Sequence, residues 1–402
     1  MVETSPPPGT RTHRRRILEA LPLLVVFVGV PALILEYGRT PPFAGNAFVF
    51  IFGLWTLFMI WSFVRARRAG RGGALAFNLG VLFLALTVAE IAIDGEGKAR
   101  LVRSPASSEY SERHPDLGYT PIGGVTSRFT KMAGDDMVFD VSYRIEKDGL
   151  RARPPLREPP PQGSVLLFGC SFTYGMGLED DETVAWQLER DLEGRLRGYN
   201  FGFSGWGAHQ MLANLESGRV ESLVKYPPKL AVYLALADHA RRVAGDAAHD
   251  RHGPRYVLDE GGRPVRRGKF SDDKTDVAKK RLLRFVHHSH LGKRLADTVM
   301  MGGGDVPLLA AITAAARDQV RAKWPDCRFV VLLWDEFPRR TDPVAKALRE
   351  KDLEVLPASE ILPQLHEDPA SYWIHDADRH PNTKATSLIA AYLAEKVVPG
   401  EK

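Results

Sequence analysis

Three long apolar stretches open the chain, from about Ile17 to Leu35, Ala47 to Val64 and Ala74 to Ile93. Each is near the ~20 residues that an α-helix needs to cross a bilayer. The pattern predicts an N-terminal membrane region over residues 1–97 with three transmembrane helices. From Lys98 to Gln162 the apolar runs shorten and begin to alternate. Met137-Val138-Phe139-Asp140-Val141-Ser142-Tyr143-Arg144-Ile145 reads at period two, and Lys147-Asp148-Gly149 is a turn signal. Residues 98–162 are therefore expected to form a β-rich connector. A stiff linker closes it, from Arg153-Pro154-Pro155 to Pro159-Pro160-Pro161.

From Ser164 onward the periodicity switches back and forth between strand and helix. Strands are predicted at Ser164–Phe168, Gly198–Phe203, Lys229–Ala235, Arg328–Trp334 and Leu353–Leu356. Helices are predicted at Val184–Leu196 with Thr183 as N-cap, Ala208–Leu223, Pro307–Lys323, Asp342–Lys351 and Lys384–Val397. Apolar strands alternating with helices imply a parallel sheet covered on both faces, here over residues 163–402. Ligands of such sheets bind beyond the carboxyl ends of the strands. Ser171, Ser204, Asp238 and Asp335 fall at such ends. Residues from about 240 to 304 interrupt the alternation as an insertion. It holds a predicted hairpin, Arg255–Leu258 and Val265–Phe270 around Glu260-Gly261-Gly262, and a basic helix from Thr275.

Charge adds an orientation. The formal net charge is +5, and residues 1–100 carry 11 Lys+Arg against 6 Asp+Glu, so the excess is N-terminal. A neutral folded domain argues against a nucleic-acid partner. Arg14-Arg15-Arg16 precede the first apolar stretch, and Arg65, Arg67, Arg68 and Arg71 separate the second from the third. By the positive-inside rule both flanks are cytoplasmic, so three crossings put everything after about Asp94 outside the cytoplasm. A cleaved signal peptide is the alternative for the first stretch, but no small-x-small cleavage site precedes Tyr37. Glu19 and Glu36 sit at the ends of the first stretch, where they reach headgroups, and Glu90 lies nearer the end than the centre of the third. Cys170 and Cys327 sit at the ends of predicted strands and read as buried thiols. No Cys/His cluster has zinc spacing, and His287-His288-Ser289-His290 reads as solvated helix-end histidines. Arg263, Arg266, Arg267 and Lys269 read as a solvated face.

Two segments carry candidate chemistry. Phe168-Gly169-Cys170-Ser171-Phe172-Thr173-Tyr174-Gly175 puts a serine just past a strand. Asp376-Ala377-Asp378-Arg379-His380-Pro381-Asn382 puts a histidine beside carboxylates, just before the last helix. A hydroxyl, an imidazole to take its proton and a carboxylate to hold the ring are the groups of acyl transfer.

These blocks resemble the SGNH hydrolase superfamily, also called GDSL esterases, over roughly Ser164 to Lys396 without the insertion. The resemblance implies a flavodoxin-like three-layer α/β sandwich around a central parallel sheet. It implies Ser171 as nucleophile, with Cys170 where the family usually has aspartate. Asn200-Phe201-Gly202-Phe203-Ser204-Gly205 matches the second block and carries an oxyanion donor to Gly205, beside the Ser171 amide. His380-Pro381-Asn382 matches the last block, with His380 as base. There are two departures. Asp238, in Leu236-Ala237-Asp238-His239, stands where the family has an oxyanion asparagine. A carboxylate there repels an oxyanion unless protonated or turned away, which leaves His239 as a substitute donor. The usual aspartate three residues before the histidine is Ala377 here, so Asp378 or Asp376 must orient His380, with Asp378 favoured.

The resemblance implies a serine-dependent O-acyl esterase or acyltransferase, with no cofactor and no metal. The expected partners are an acylated glycan or small ester, the lipid bilayer and a membrane acyl-donor protein. The acyl group is expected to be acetyl and the glycan to be cell-surface or exported. The expected place is the bacterial inner membrane, as a multi-pass protein with its C-terminal domain periplasmic. The competing expectation is a non-catalytic glycan-binding or scaffolding module of the same fold.

Overall fold

The computed structural model describes residues 47–70, 72–97, 102–103, 110–273, 289, 291–292 and 305–398. The first expected span, Ile17 to Leu35, lies outside these residues, as do the basic helix from Thr275 and positions 287, 288 and 290. The chain divides into two compact units, one of Met1–Ala99 with Arg281–Met300, the other of Arg100–Lys280 with Met301–Lys402.

In the first unit, helices α1 (Ala47–Arg68) and α2 (Ala74–Gly97) match the second and third apolar stretches. Phe48–Arg68 and Ala74–Ala92 are long and apolar enough to cross a membrane, with mean hydropathies of 1.8 and 2.0. Only 22% and 11% of those windows is buried by protein, whereas a core helix of a soluble domain would be mostly covered. Glu90 is fully buried and accepts hydrogen bonds from Ser289 Oγ and the Leu291 amide.

The second unit begins with short antiparallel pairs. Strand β1 (Val102–Arg103) pairs with β4 (Thr126–Ala133), β2 (Ser111–His114) with β3 (Gly118–Pro121), and β4 with β5 (Asp136–Arg144). Then come β6 (Gly163–Gly169), α3 (Ser171–Tyr174), α4 (Val184–Asp191), β7 (Leu196–Gly202), α5 (Ala208–Glu216), α6 (Arg219–Leu223), β8 (Pro228–Ala235) and α7 (His239–Val243). The insertion holds the hairpin β9 (Pro254–Leu258) and β10 (Pro264–Lys269). The chain ends with α8 (Val306–Lys323), β11 (Arg328–Leu333), α9 (Pro338–Arg349), β12 (Glu354–Pro357), β13 (Trp373–His375), β14 (Asp378–Pro381) and α10 (Thr383–Tyr392).

Five strands form one parallel sheet in the order β12-β11-β8-β6-β7. Strand alternation drives its two cores. Leu166 and Phe168 point to one face with Tyr233 and Val331, where Met211, Ile312 and Leu348 from α5, α8 and α9 cover them. Val165 and Leu167 point to the other face with Val232 and Leu332, under Leu188 of α4 and Ile389 of α10. Because β7 lies on one side of β6 and β8 on the other, the chain changes direction across the sheet at β6. That switch point opens a crevice at the carboxyl ends.

Four helices differ from their sequence expectation; the closing one, expected at Lys384–Val397, is α-helical over Thr383–Tyr392 and ends in a π-turn at Leu393–Val397. The one expected at Val184–Leu196 stops at Asp191, because Leu196 is already the first residue of β7. The one expected at Ala208–Leu223 is two helices, interrupted at Ser217-Gly218. The one expected at Asp342–Lys351 starts four residues sooner, with Pro338 in the first turn where proline costs no hydrogen bond.

Residues 110–152, expected as a connector, pack onto the parallel-sheet part of the second unit. Phe139, Val141 and Tyr143 of β5 share a core with Tyr174 of α3 and with Phe203 and Trp206 from the loop after β7. Arg151 fastens this layer. Its side chain is fully buried, and its guanidinium lies over the rings of Tyr143 and Tyr174, 4.3 and 4.9 Å from the centroids. It donates to the carbonyls of Tyr174, Gly175 and Leu178 and to Asp180 Oδ1.

Candidate active site

Strand β6 ends at Gly169, and the chain turns at once into α3. Gly169 has φ +154, and a Cβ there would lie 2.1 Å from Thr173 Oγ1, so the turn requires glycine. Thr173 Oγ1 donates to the Phe168 carbonyl, and Asn200 Nδ2 of β7 donates to the Thr173 carbonyl at 2.8 Å. These bonds fix Ser171 as the first residue of α3. Its amide is thus one of the orphan donors of a helix start. Ser171 is 8% exposed.

His380 arrives from the other end of the chain, on β14. Asp378 and His380 are two residues apart on one strand, so both side chains leave from the same face. That explains why a carboxylate two positions ahead serves here, while Asp376 sits exposed in the hairpin turn. Asn382 locks the hairpin to the last helix. Its Nδ2 donates to the carbonyls of Ser371 and Trp373, and its Oδ1 accepts from the Ala385 amide as the α10 N-cap.

The structure brings Ser171, His380 and Asp378 together. His380 Nε2 lies 2.8 Å from Ser171 Oγ, and His380 Nδ1 lies 2.5 Å from Asp378 Oδ1. Asp378 Oδ1 also accepts the His380 amide at 3.0 Å, and Asp378 Oδ2 accepts from Lys131 Nζ at 2.7 Å. Burial alone would push the Asp378 carboxyl up. The hydrogen bonds and charges of His380 and Lys131 outweigh it and hold the group well below the usual carboxylate range. An ionised carboxylate only accepts, so the proton on this side of the ring belongs to Nδ1. Nε2 is then the acceptor for the Ser171 hydroxyl. Phe172 packs on the imidazole at 5.3 Å between centroids.

Ser171 and His380 open into a cleft of about 600 Å³. Gly205 lines it with φ +78, and a Cβ there would lie 2.5 Å from His249 Nε2 and 2.6 Å from the Tyr119 hydroxyl. Only glycine fits, and it lines the same cleft as Ser171. Tyr119 Oη donates to the Ser204 carbonyl at 2.7 Å. The outer lining includes Tyr110, Tyr119, Phe203, Arg113, His249 and His252, with no carboxylate.

The two remaining oxyanion candidates are elsewhere. The Asp238 side chain is 46% exposed and paired with Arg242 at 2.9 Å, at the start of α7. It does not line the cleft. His239 is fully buried, and its Nδ1 accepts from Tyr233 Oη and the Leu236 amide. Burial pushes its pKa well below the ordinary value, so it is neutral, and it does not line the cleft. Asp335, also expected at a strand end, accepts instead from Ser359 and His366. Cys170 and Cys327 are free and buried, and burial pushes the Cys327 thiol up to about 12. Among the described residues no group of three or more His, Cys, Asp or Glu could hold a metal ion.

Sequence reading missed Lys131, Tyr110, Tyr119 and the cleft histidines. Arg113 of β2 lies opposite Tyr119 of β3, a pairing that brings these two to one cleft and that no single stretch of sequence shows.

No protein-family model matches the chain, and no curated protein matches it. Solved structures that resemble it include GDSL-like lipases and carbohydrate esterases. A GDSL-like lipase from Parabacteroides merdae is 15% identical, with 60% of this chain and 97% of that chain covered and a TM-score of 0.33. A lipolytic protein of the G-D-S-L family from Desulfitobacterium hafniense is 12% identical, covering 57% and 97%, with a TM-score of 0.29. An acetyl xylan esterase from Butyrivibrio proteoclasticus is 9% identical, covering 69% and 70%, with a TM-score of 0.32. None of these three reaches 25% identity or a TM-score of 0.5, so the geometry of the site itself must carry any functional reading.

Proposed function

We propose that this chain is a membrane-anchored serine esterase or O-acyltransferase of the SGNH type. Its Ser171 would attack an ester carbonyl. His380 Nε2 takes the hydroxyl proton and later returns it to the leaving alcohol, while Asp378 keeps the ring in the Nδ1–H form. The amides of Ser171 and Gly205 receive the developing oxyanion. The acyl-serine then passes to water or to a sugar hydroxyl. One observation carries this reading: the unbroken relay from Ser171 Oγ through His380 to Asp378, at 2.8 and 2.5 Å.

The substrate class we propose is an O-acetylated glycan outside the cytoplasm. An open cleft edged by Tyr110, Tyr119 and Phe203 offers rings for sugar faces, and Arg113, His249 and His252 offer polar and cationic contacts. The N-terminal arginine pattern supports a periplasmic placement.

The test is turnover of p-nitrophenyl acetate by the full chain in detergent. Ser171→Ala should abolish it while the thermal unfolding midpoint stays put; undiminished turnover would remove Ser171 as nucleophile. A non-catalytic glycan-binding module is the second reading, favoured by the absence of Asp238 and His239 from the cleft. A fluorophosphonate probe separates the two, since a working relay is labelled at Ser171 and a binder is not. Release of acetate from acetylated glycans, with and without added acceptor sugars, then separates hydrolysis from transfer.

A further inference from the structure

Lys131 lies on β4, in the segment before the parallel sheet, 247 residues from the aspartate it touches. The β4–β5 register shifts directly after it. Lys131 faces Phe139, but Met132 faces Met137, so Val138 is the extra residue of a bulge. Bulges re-aim side chains, and they recur beside active sites. The result is an ammonium, 21% exposed, 2.7 Å from a carboxylate that is 1% exposed. The two oxygens of Asp378 thus have separate tasks. Oδ1 serves His380, through both ring and amide, and Oδ2 serves Lys131.

We propose that Lys131 is a positioning residue of the relay: it fixes the plane of the Asp378 carboxylate and offsets part of its charge, so that His380 remains an unprotonated base to lower pH. This rests on the serine-relay reading above. The sign follows from charge. Asp378 stabilises the imidazolium form of His380, and a cation on its far oxygen weakens that stabilisation. Arg113, His249 and His252 line the cleft that His380 opens into and stay the same in every variant compared below; the groups packed against Asp378 supply no competing charge. Tyr143 of β5 faces Asp378, but burial pushes its pKa up and keeps it neutral. Arg151, over the Tyr143 ring, is committed to Asp180 and three carbonyls. Ser171 and Phe172 of α3 face the imidazole. On the hairpin itself, His375 Nδ1 accepts from the Ala377 amide, and Arg379 lies over Trp373.

The experiment compares wild type, Lys131→Met, Lys131→Gln and Lys131→Arg as full chains in detergent. Two quantities are read against pH: kcat/KM for p-nitrophenyl acetate, and the ring titration of His380 by carbon-13 histidine NMR. The His380 signal is assigned by its loss in His380→Asn. Removing the cation should move the acidic limb and the NMR midpoint up by on the order of one pH unit. kcat should fall with KM little changed, and Lys131→Arg should restore the wild-type midpoint. Gln keeps a hydrogen-bond donor, so it reads out if the Met variant does not fold. An unmoved midpoint in the neutral variants overturns the proposal, even if their activity is uniformly lower. If wild type neither turns over ester nor takes a fluorophosphonate label, the esterase reading fails. The NMR midpoint still decides the role of Lys131.

Discussion

At the scale of single residues, the site depends on side chains that strand geometry aims. Asp378 and His380 share a face because they are two apart on β14, and Asp376 is left in the exposed turn. The two carboxylates are therefore expected to behave very differently. Asp378→Asn should lower kcat for a small acetyl ester by about 10⁴-fold, because an amide no longer enforces the Nδ1–H tautomer. Asp376→Asn should leave kcat within a factor of about two. Steady-state kinetics on both variants checks this, and equal effects would mean that the hairpin is misassigned. Ser171 and His380 were legible in the sequence because each sits in a local pattern: a serine after an apolar strand, and His-Pro-Asn before a helix. Lys131 was not legible. A lysine in an alternating strand usually points to solvent, and only the fold reveals its partner.

At the scale of elements, the strong strands and helices followed from periodicity, and the short ones did not. β6, β8 and β11 are buried on both faces, so their sequences are continuous apolar runs that can hardly be read otherwise. The hairpins β2–β3 and β13–β14 are short and mixed in composition, and they exist because of what they pack against. The loop after Ser171 shows the same dependence. Residues 175–179 form no helix or strand, and Arg151 donates from another element to the carbonyls of Tyr174, Gly175 and Leu178. Arg151→Met should thus leave buried carbonyls and Asp180 without their cation. A loss of about 3–5 kcal/mol is expected, read as a lower urea midpoint with an unchanged slope. A change under about 0.5 kcal/mol would mean the loop holds itself. The segment over residues 110–152 is accordingly part of the unit that holds the cleft: it supplies Lys131, Tyr110, Tyr119 and Arg113.

At the scale of the whole molecule, the sheet order creates the site. The change of direction at β6 opens a crevice where loops after β6 and β7 bring Ser171 and Gly205 together, and β14 closes it with His380. Two helices long and apolar enough to cross a membrane belong to the other unit. The arginine pattern predicts that residues after α2 lie outside the cytoplasm. A periplasm-dependent alkaline phosphatase fused after Gly97 should therefore be active, and green fluorescent protein fused there should be dark. The opposite pair of results would reverse the orientation and remove exported glycans as substrates.

The sequence by itself determined the apolar spans, the alternation of buried strands and helices, and the serine and histidine blocks. These are properties of neighbouring residues, set by hydrophobic period and turn chemistry. Only the tertiary structure decided which carboxylate orients His380, that Asp238 and His239 stand outside the cleft, and that Lys131 holds the outer oxygen of Asp378. Those facts depend on which way side chains point after distant segments meet. Pointing is set by strand register and by a bulge, and neither is written in any one stretch of the chain.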